Sequence, residues 1–262
     1  MVSATKTSPS PASLRVSRSD TWQSVSSALL TTFMDRNITV NCLVLRRANY
    51  KDYDRMVTLL TDELGRVDAV VRGCRRPKSE LISASEPFMA GQAQLYRAGG
   101  HVSVTAFRPT EAFLPLREDM DRLTLAARWL RTLERVSLQD APQGDILMLA
   151  LDALSYLSYS GLDSRQVDFM FTVKLSRILG MLPDFSRCGI CQKTYEQTPL
   201  GYLPLEGCVC PACRPGARIL PEGALRILMK APLRPFRAVE KLTGHPDLPE
   251  AEKAAEVLLE MK

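Results

Sequence analysis

Histidine is scarce in this chain, with two in 262 residues, His101 and His245. One falls in a hairpin turn signalled by glycines and the other in a loop rich in proline and glycine, and neither has an obvious partner that would make it a catalytic base. Three common enzyme patterns are also missing: the G-x-x-x-x-G-K-[ST] phosphate loop, H-E-x-x-H and the G-x-S-x-G elbow. A zinc deaminase would need His-x-Glu ahead of Pro-Cys-x-x-Cys, whereas here the proline lies inside the cysteine pair. These absences indicate a protein that is not an enzyme.

Long hydrophobic runs are lacking as well. No stretch of about 18 apolar residues could span a bilayer, and the Ser/Thr/Pro-rich N-terminus contains no uninterrupted apolar segment of the signal-peptide kind. We therefore expect a soluble, cytoplasmic protein. Residues 1–20 are expected to be disordered and residues 22–34 to form a short amphipathic helix, unless Met34 is the true start. Residues 1–35 are thus interpreted as a disordered or short-helical extension.

Seven cysteines are present, and four of them have the spacing of a zinc site. Two Cys-x-x-Cys pairs, separated by an eighteen-residue loop, can surround one tetrahedral Zn²⁺ with four thiolates. Because four thiolates fill the coordination shell, we expect one structural Zn²⁺ per chain. Cys208 is less favoured as a ligand because it breaks the two-residue spacing. An oxidoreductase using reversible dithiol chemistry is the alternative. The predicted ligands are Cys188, Cys191, Cys210 and Cys213.

Five short runs rich in β-branched residues follow one another in the first half of the chain. They lie at residues 38–46, 55–61, 66–72, 88–96 and 102–107, with turn signals at Glu63-Leu-Gly65 and Gly99-Gly100. Residues 77–85 lack strand character and are predicted to form a short helix. Five strands with a helix between the third and the fourth is the order of an OB-fold. The sequence therefore predicts an OB-fold domain over residues 36–109.

After Pro109 the apolar residues recur at helical spacing. Helices are predicted over residues 119–136, 145–159 and from Asp163 or Ser164 to Ile178. Beyond the cysteines, prolines break the chain into short pieces, including residues 224–230 and 236–242, before a final helix over residues 249–261. Because helices flank the cysteines on both sides, we predict one α-helical domain, residues 110–185 and 217–262, with a zinc finger inserted at residues 186–216. The fold class is α+β.

The net charge of +5, from 34 Lys and Arg against 29 Asp and Glu, is too small to prove a nucleic-acid partner. The basic residues are concentrated in the predicted barrel, where residues 46–78 contain nine cations and five acids. The densest part, Arg72-Gly-Cys-Arg-Arg-Pro-Lys78, is a loop whose charge is exposed, as binding to a phosphate backbone requires. Two tyrosines between the first two strands are placed to stack on unpaired bases. The predicted DNA-binding residues here are Arg46, Arg47, Tyr50, Lys51, Tyr53, Arg55, Arg66, Arg72, Arg75, Arg76 and Lys78.

A second basic stripe lies on the helix predicted after the barrel. Arg128, Arg131 and Arg135 share one face, since they are three and four residues apart. The polar face of an amphipathic helix is usually just solvated. We therefore include the stripe among the DNA-binding residues on the condition that it borders the barrel.

Several short strings in the first domain carry a family resemblance. They are Leu43-Val-Leu-Arg-Arg47, Tyr50-x-x-Tyr-Asp54-Arg-Met-Val-Thr-Leu-Leu-Thr61, Gly65-Arg66, Val71-Arg-Gly-x-Arg-Arg-Pro-Lys-Ser79 and Glu86-Pro-Phe88. In this order and spacing they resemble the bacterial RecO family, and the resemblance covers about residues 38–245. In one departure, the glycine of the Gly-Glu-Ala-Asp-like string usual in the family is replaced by Lys51.

The resemblance implies a recombination mediator for DNA repair, built from an OB-fold, a helical domain and often a zinc finger. Family members bind single- and double-stranded DNA, anneal complementary strands and, with RecR, help load RecA onto DNA coated by single-strand-binding protein. DNA, RecR and single-strand-binding protein are therefore the expected partners, in the cytoplasm at the nucleoid. A different class stays open, namely a zinc-ribbon module that uses its barrel on RNA or assists transcription.

Overall fold

The structure, a computed structural model, describes residues 36–203 and 206–259. Its first part is a closed barrel in which the strands neighbour one another in the order β1-β2-β3-β5-β4. All neighbours are antiparallel except β3 and β5, which pair in parallel. This is the strand order of an OB-fold, so the predicted fold is confirmed. The strands are β1 Asn37–Tyr50, β2 Asp54–Thr61, β3 Gly65–Val71, β4 Ala90–Ala98 and β5 His101–Glu111.

Strand β1 is buried on both faces over residues 42–45, in the middle of the strand. Val40 and Val44 belong to the core inside the barrel, whereas Leu43 and Leu45 belong to a larger core shared with the helices. Successive side chains of a strand point to opposite faces, so the unbroken apolar run of residues 42–45 serves both cores. A fully buried leucine contributes about 1.5–3 kcal/mol relative to an exposed one. The outer face of β1 therefore attaches the barrel to the helical region.

Within residues 112–203 and 206–259 the structure contains five α-helices. Helix α1 begins as predicted because the Asp119 carboxylate accepts from the backbone N–H groups of Asp121 and Arg122, both at 3.0 Å. Asp163 caps α3 in the same way, accepting from the Arg165 N–H at 2.9 Å. The helices are α1 Met120–Val136, α2 Gly144–Tyr159, α3 Ser164–Ile178, α4 Glu222–Lys230 and α5 Leu248–Glu256.

The cysteine-containing segment between α3 and α4 forms a small sheet of its own. Strands β6 Gly201–Leu203, β7 Gly207–Val209 and β8 Arg218–Ile219 are ordered β7-β6-β8. The Phe185 and Tyr202 rings meet with centroids 5.7 Å apart. Cys188, Val209 and Cys210 are buried in the same core as the helices. The unit therefore rests on the helical region.

The tip of the β2–β3 hairpin docks into the connection between α1 and α2. Gly65 has a φ of 66°, and a Cβ at this position would lie 2.2 Å from the Leu138 carbonyl oxygen, so only glycine fits. Arg66 donates its backbone N–H to the Leu138 carbonyl at 2.8 Å and its guanidinium to the Glu134 carbonyl at 2.8 Å. These contacts fix the barrel to the helices.

Two predicted helices differ from the structure. Residues 77–85 contain only a 3-10 turn at Ser83–Ser85, and Lys78, with a φ of 64°, has a left-handed backbone that an α-helix cannot contain. The last helix ends at Glu256 instead of reaching residue 261, and the Leu258 N–H donates to the Ala255 carbonyl in a tight turn that brings Leu258 into the core.

The predictions for residues 1–20 and 22–34 lie outside the described residues. Within the described ranges, none of the helices combines the length and the apolar character needed to cross a membrane.

Candidate nucleic-acid interface and metal centre

The densest basic loop lies against the link between β1 and β2. The Arg75 N–H donates to the Tyr53 carbonyl at 3.0 Å, and the Gly73 N–H donates to Oδ1 of Asp54 at 2.8 Å. Gly73 has a φ of 64°, which lets the chain reverse without a Cβ clash. Residues 50–54 and 72–78 therefore form one surface, which we call the basic loop surface.

The basic loop surface contains five exposed cations. Asp54, one of the two acids in the link, is occupied by the Gly73 N–H. Between residues 36 and 203 and between 206 and 259, no ion pair involves any of the five cations. Their charge is thus available to neutralise a polyanion. They are Lys51, Arg72, Arg75, Arg76 and Lys78.

Two tyrosine rings stand among these cations. Tyr50 is 40% exposed and Tyr53 51% exposed. Nζ of Lys51 lies 5.2 Å from the Tyr50 ring centroid, and Cζ of Arg76 lies 5.3 Å from that of Tyr53, distances at which a cation and a ring attract each other. The surface therefore combines aromatic faces with positive charge, as binding of single-stranded nucleic acid requires.

Lys51 occupies a backbone position that suits glycine. Its φ is 54°, in the left-handed region that costs a residue with a Cβ about 1–2 kcal/mol. Having Lys51 where the resembled string has glycine therefore places a cation at the tip of the β1–β2 link, in a backbone conformation that glycine would adopt with less strain.

Two predicted DNA-binding arginines are held by one carboxylate. Arg47 and Arg55 both pair with Oε1 of Glu86, and Arg55 reaches it at 2.7 Å. Arg55 also donates to the Ser85 hydroxyl at 2.9 Å. A phosphate approaching either arginine would have to compete with Glu86, so these cations differ from those of the basic loop surface.

Two further predicted arginines of the barrel contact helix α1. Arg46 pairs with the Glu134 carboxylate at 2.8 Å, and the Arg66 guanidinium donates to the backbone carbonyl of the same residue. Both side chains therefore join the barrel to α1. Sequence reasoning missed Glu86 and Glu134, since nothing local marks either as a partner of a distant arginine.

The basic stripe of α1 faces α3 and α5. Arg128 pairs with Asp168 of α3, whose other carboxylate oxygen accepts from the Trp129 indole N–H at 2.7 Å. Arg128 and Arg131 line one groove beside α3, and Arg128 and Arg135 line another, of about 530 Å³, between α1, α3 and α5. Arg128 and Arg135 thus lie beside α3 and α5, on a helix whose Glu134 contacts the barrel, and DNA binding by the stripe stays a prediction.

The four predicted metal ligands converge. Their sulfur atoms all lie within 4.8 Å of one another, and those of Cys191 and Cys210 are 3.7 Å apart. A tetrahedral ion with sulfur ligands at about 2.3 Å has sulfur–sulfur edges of about 3.8 Å, so the donor set fits a metal such as Zn²⁺. Cys188 and Cys210 are buried and Cys191 is exposed.

Backbone amides prepare the buried sulfur of Cys188 for a metal. Burial alone would raise the pKa of this thiol, but the N–H groups of Cys191, Ile190 and Cys210 outweigh it and lower the pKa to about 6. The thiolate, which is the form that binds metal, is therefore favoured at neutral pH. The left-handed residue after this knuckle is Gln192, with a φ of 63°.

Cys208 lies outside the cluster of four. Burial, with the charges of Asp184 and Cys188, raises the pKa of Cys208 to about 12, so it remains a neutral thiol. Two cations that the sequence places near the thiolates pair with carboxylates, Arg187 with Asp184 at 3.0 Å and Arg214 with Glu206 at 2.5 Å. Both cations are therefore engaged by carboxylates of the same unit.

An OB-fold barrel attached to helices that carry a four-cysteine centre defines the class of the protein. Comparison with known sequences gives the family. Residues 34–113 match the family "Recombination protein O N terminal" and residues 117–255 match "Recombination protein O C terminal". The chain therefore belongs to the RecO family of DNA repair proteins.

Individual relatives agree with this assignment. The DNA repair protein RecO of Symbiobacterium thermophilum is 31% identical over 195 residues, which cover 73% of this chain and 76% of that protein. The DNA repair protein RecO of Acetivibrio thermocellus is 28% identical over 190 residues, covering 71% of this chain and 75% of the relative. That of Heliobacterium modesticaldum is 32% identical over 177 residues, with 66% and 64% covered.

Proposed function

We propose that the chain is a DNA-binding recombination mediator that anneals complementary single strands without covalent chemistry. The basic loop surface carries this proposal, because it presents unpaired cations beside exposed tyrosines on an OB-fold. Its cations would neutralise phosphates and release counterions. The bases would rest on the rings or stay free to pair. Annealing then follows from holding two mutually repelling strands together.

Charge reversal on this surface tests the proposal. With Arg75→Glu and Arg76→Glu combined, we expect single-stranded DNA binding to weaken by more than about 1 kcal/mol at low salt, and the slope of log K against log salt to flatten by about 1.4, or about 0.7 per phosphate contact. A fluorescence titration over several salt concentrations measures both. The control, Arg75→Lys with Arg76→Lys, keeps the charge and should bind nearly normally. Unchanged binding by the glutamate variant would contradict the assignment.

Competition with RNA separates the proposal from an RNA-binding or transcription accessory role. Single-stranded DNA and RNA of the same sequence are titrated against a labelled DNA strand bound to the protein. Under our proposal DNA competes at least as well as RNA. Clear preference for RNA would favour the zinc-ribbon RNA-binding module instead.

We further propose that the protein acts with RecR to help load RecA onto DNA coated by single-strand-binding protein, in the cytoplasm at the nucleoid. The relatives' names support a place in DNA repair. Annealing of protein-coated complementary strands is compared with and without RecR. We expect this chain to anneal strands on coated DNA. When RecR is added, we expect more RecA to be loaded onto the coated DNA. No activity on coated DNA would contradict this assignment.

The groove between α1, α3 and α5 has the chemistry for an acidic protein tail that ends in apolar residues. Leu259 is its partly exposed apolar member, with the Trp129 and Phe171 rings buried beneath the surface. Arg135 is exposed and forms no ion pair among the described residues, whereas Arg128 pairs with Asp168 and Glu256 also lines the groove. We propose it as the contact for single-strand-binding protein. Arg135→Glu should weaken binding of such a tail peptide and leave binding of naked single-stranded DNA unchanged. Equal binding of the peptide by the variant would exclude the groove.

We propose that the four clustered cysteines hold one Zn²⁺ in a structural role. The ion would cross-link the two knuckles and leave no coordination position for a substrate. Metal analysis of the purified chain should give one zinc per chain. Reversible dithiol oxidation without stoichiometric zinc would instead indicate the oxidoreductase alternative.

A further inference from the structure

A second basic surface lies in the C-terminal part of the helical region. After α4 the chain passes through 3-10 stretches at Ala231–Leu233 and Phe236–Leu242, which contain or follow the prolines Pro232 and Pro235. Together with α3 and α4 these stretches surround a cleft of about 980 Å³. Residues 226–241 contain five cations and one acid. All five cations line the cleft: Arg226, Lys230, Arg234, Arg237 and Lys241.

Most of this charge is unpaired. Arg226 pairs with Glu222 one turn earlier in α4. The other four cations are exposed, and none of them forms an ion pair within the ranges that the structure describes. Two further acids line the cleft, Glu240 and Asp247, and Asp247 packs closely on Gly223. Among the described residues neither acid forms an ion pair, so four unpaired cations face two carboxylates.

The lining selects an extended polyanion. The four unpaired cations recur every three or four residues from position 230 to 241, and so form a row instead of a single anion pocket. The cleft has no Phe, Tyr or Trp among its lining residues. Of its apolar members, Met170, Ile227 and Ala231 are buried, Ala238 and Leu242 are partly buried, and Pro235 is exposed. It therefore lacks the rings of a base-stacking platform, and its row of cations is its main exposed feature. Contacts to a phosphate backbone need only the charge.

The cleft is separated from the barrel. Its walls pack on α3 and α5, whereas the barrel packs mainly on α1 and α2. We propose that this cleft is a second strand-binding site, which holds the backbone of one single strand while the basic loop surface holds another. The inference rests on the proposed annealing function and specifies how one chain could present two strands to each other.

Capture of two non-complementary strands isolates this step from base pairing. The full chain is mixed with one labelled oligonucleotide at one strand per chain, an equal amount of a second oligonucleotide of unrelated sequence and a different label is added, and transfer between the labels is measured. Sedimentation then gives the number of protein chains in the complex. We expect the unaltered chain to hold two strands per chain, and Arg234→Glu with Arg237→Glu to hold one with unchanged affinity for the first. The salt slope for the second strand should fall by about 1.4, again about 0.7 per phosphate contact.

Three comparisons make the result decisive. Arg234→Lys with Arg237→Lys should retain both strands, and Glu240→Gln should tighten the second. Arg117→Glu, an exposed arginine that lines neither surface, should alter second-strand capture less than Arg237→Glu alone. Annealing of complementary strands by the double glutamate variant should slow at least tenfold.

The outcomes separate this inference from the proposed function. If the unaltered chain binds no single-stranded DNA, the proposed function fails. If it binds one strand per chain, or if the cleft variants capture the second strand normally, the inference fails while the proposed function stands. Binding of an acidic peptide to the cleft with no effect of the variants on DNA would also overturn it.

Discussion

The metal centre and the basic loop surface are both sets of charged side chains brought together by loops, yet they are specified in different ways. The four cysteines come from two short turns, and their sulfur atoms lie within 4.8 Å of one another. The cations of the barrel come from the same few strands and loops, but some contact nothing charged while others are bound by Glu86 or Glu134.

The two sites differ in how far apart along the sequence the interacting residues lie. Two residues between cysteines determine the shape of a knuckle, so most of the metal geometry is local. The availability of an arginine instead depends on whether a carboxylate from a distant part of the chain reaches it. Ion pairs at a surface contribute only about 0–1 kcal/mol to stability, but they decide which cations a phosphate meets unopposed.

The largest effect that would test this comparison is loss of a cysteine ligand. Cys188→Ala should cost more than about 3 kcal/mol of folding free energy, because a structural zinc contributes on the order of 10 kcal/mol to units of this kind. Calorimetry and metal analysis should show a lower melting temperature and less than one zinc per chain. DNA binding below the melting transition should persist.

Cys208→Ala is the matched control for that experiment. It removes a buried thiol outside the cluster and should cost about 1 kcal/mol while the zinc stays bound. Our view of the metal centre would be reversed if Cys188→Ala kept its melting temperature and abolished DNA binding.

Release of the paired arginines should have an intermediate effect. Glu86→Gln frees Arg47 and Arg55, so the salt slope for single-stranded DNA should steepen by up to about 1.4, at about 0.7 per added phosphate contact. Glu134→Gln frees only the guanidinium of Arg46 and should steepen it by up to about 0.7. Titrations over several salt concentrations measure the slopes.

Glu80→Gln supplies the control, since it removes an exposed negative charge that forms no ion pair among the described residues. If it steepens the slope as much as Glu86→Gln does, total charge matters and the distinction between paired and unpaired cations is wrong.

The smallest effect is expected at Lys51. Lys51→Gly should relieve the left-handed backbone and stabilise the barrel by about 0.5–1 kcal/mol, while removal of one cation flattens the salt slope by about 0.7. Denaturant unfolding should therefore show a higher free energy of unfolding, while DNA titration should show a weaker dependence of binding on salt. Lys51→Asn, which removes the charge and tolerates this backbone better than most residues, should show the same loss of slope. A Gly variant that is less stable would contradict the role of strain.

Much of the fold follows from local signals in the sequence. Short runs rich in β-branched residues predict the five strands, and Asp119 and Asp163 mark helix starts that their hydrogen bonds explain. The four cysteines are equally readable because their spacing is short.

What the sequence did not reveal depends on long-range contacts. Glu86 lies 39 residues from Arg47, and Glu134 lies 88 residues from Arg46. The helix expected over residues 77–85 is wrong because Lys78 adopts a left-handed backbone in the basic loop. The row of cations from Lys230 to Lys241 was visible in composition, but the proline-broken segment gave no sign that it surrounds a cleft.

The docked β2–β3 hairpin also constrains distance. Since no room is left for a Cβ between Gly65 and the Leu138 carbonyl, and the Arg66 guanidinium is hydrogen-bonded to α1, we expect the two basic surfaces to keep a fixed separation when DNA binds. Complementary strands held at both surfaces would remain a fixed distance apart. Their base pairing would therefore begin in the unbound nucleotides that extend beyond the protein. Annealing by a single chain should then require oligonucleotides longer than the stretch each surface covers, and strands just long enough to be bound should be held but not joined.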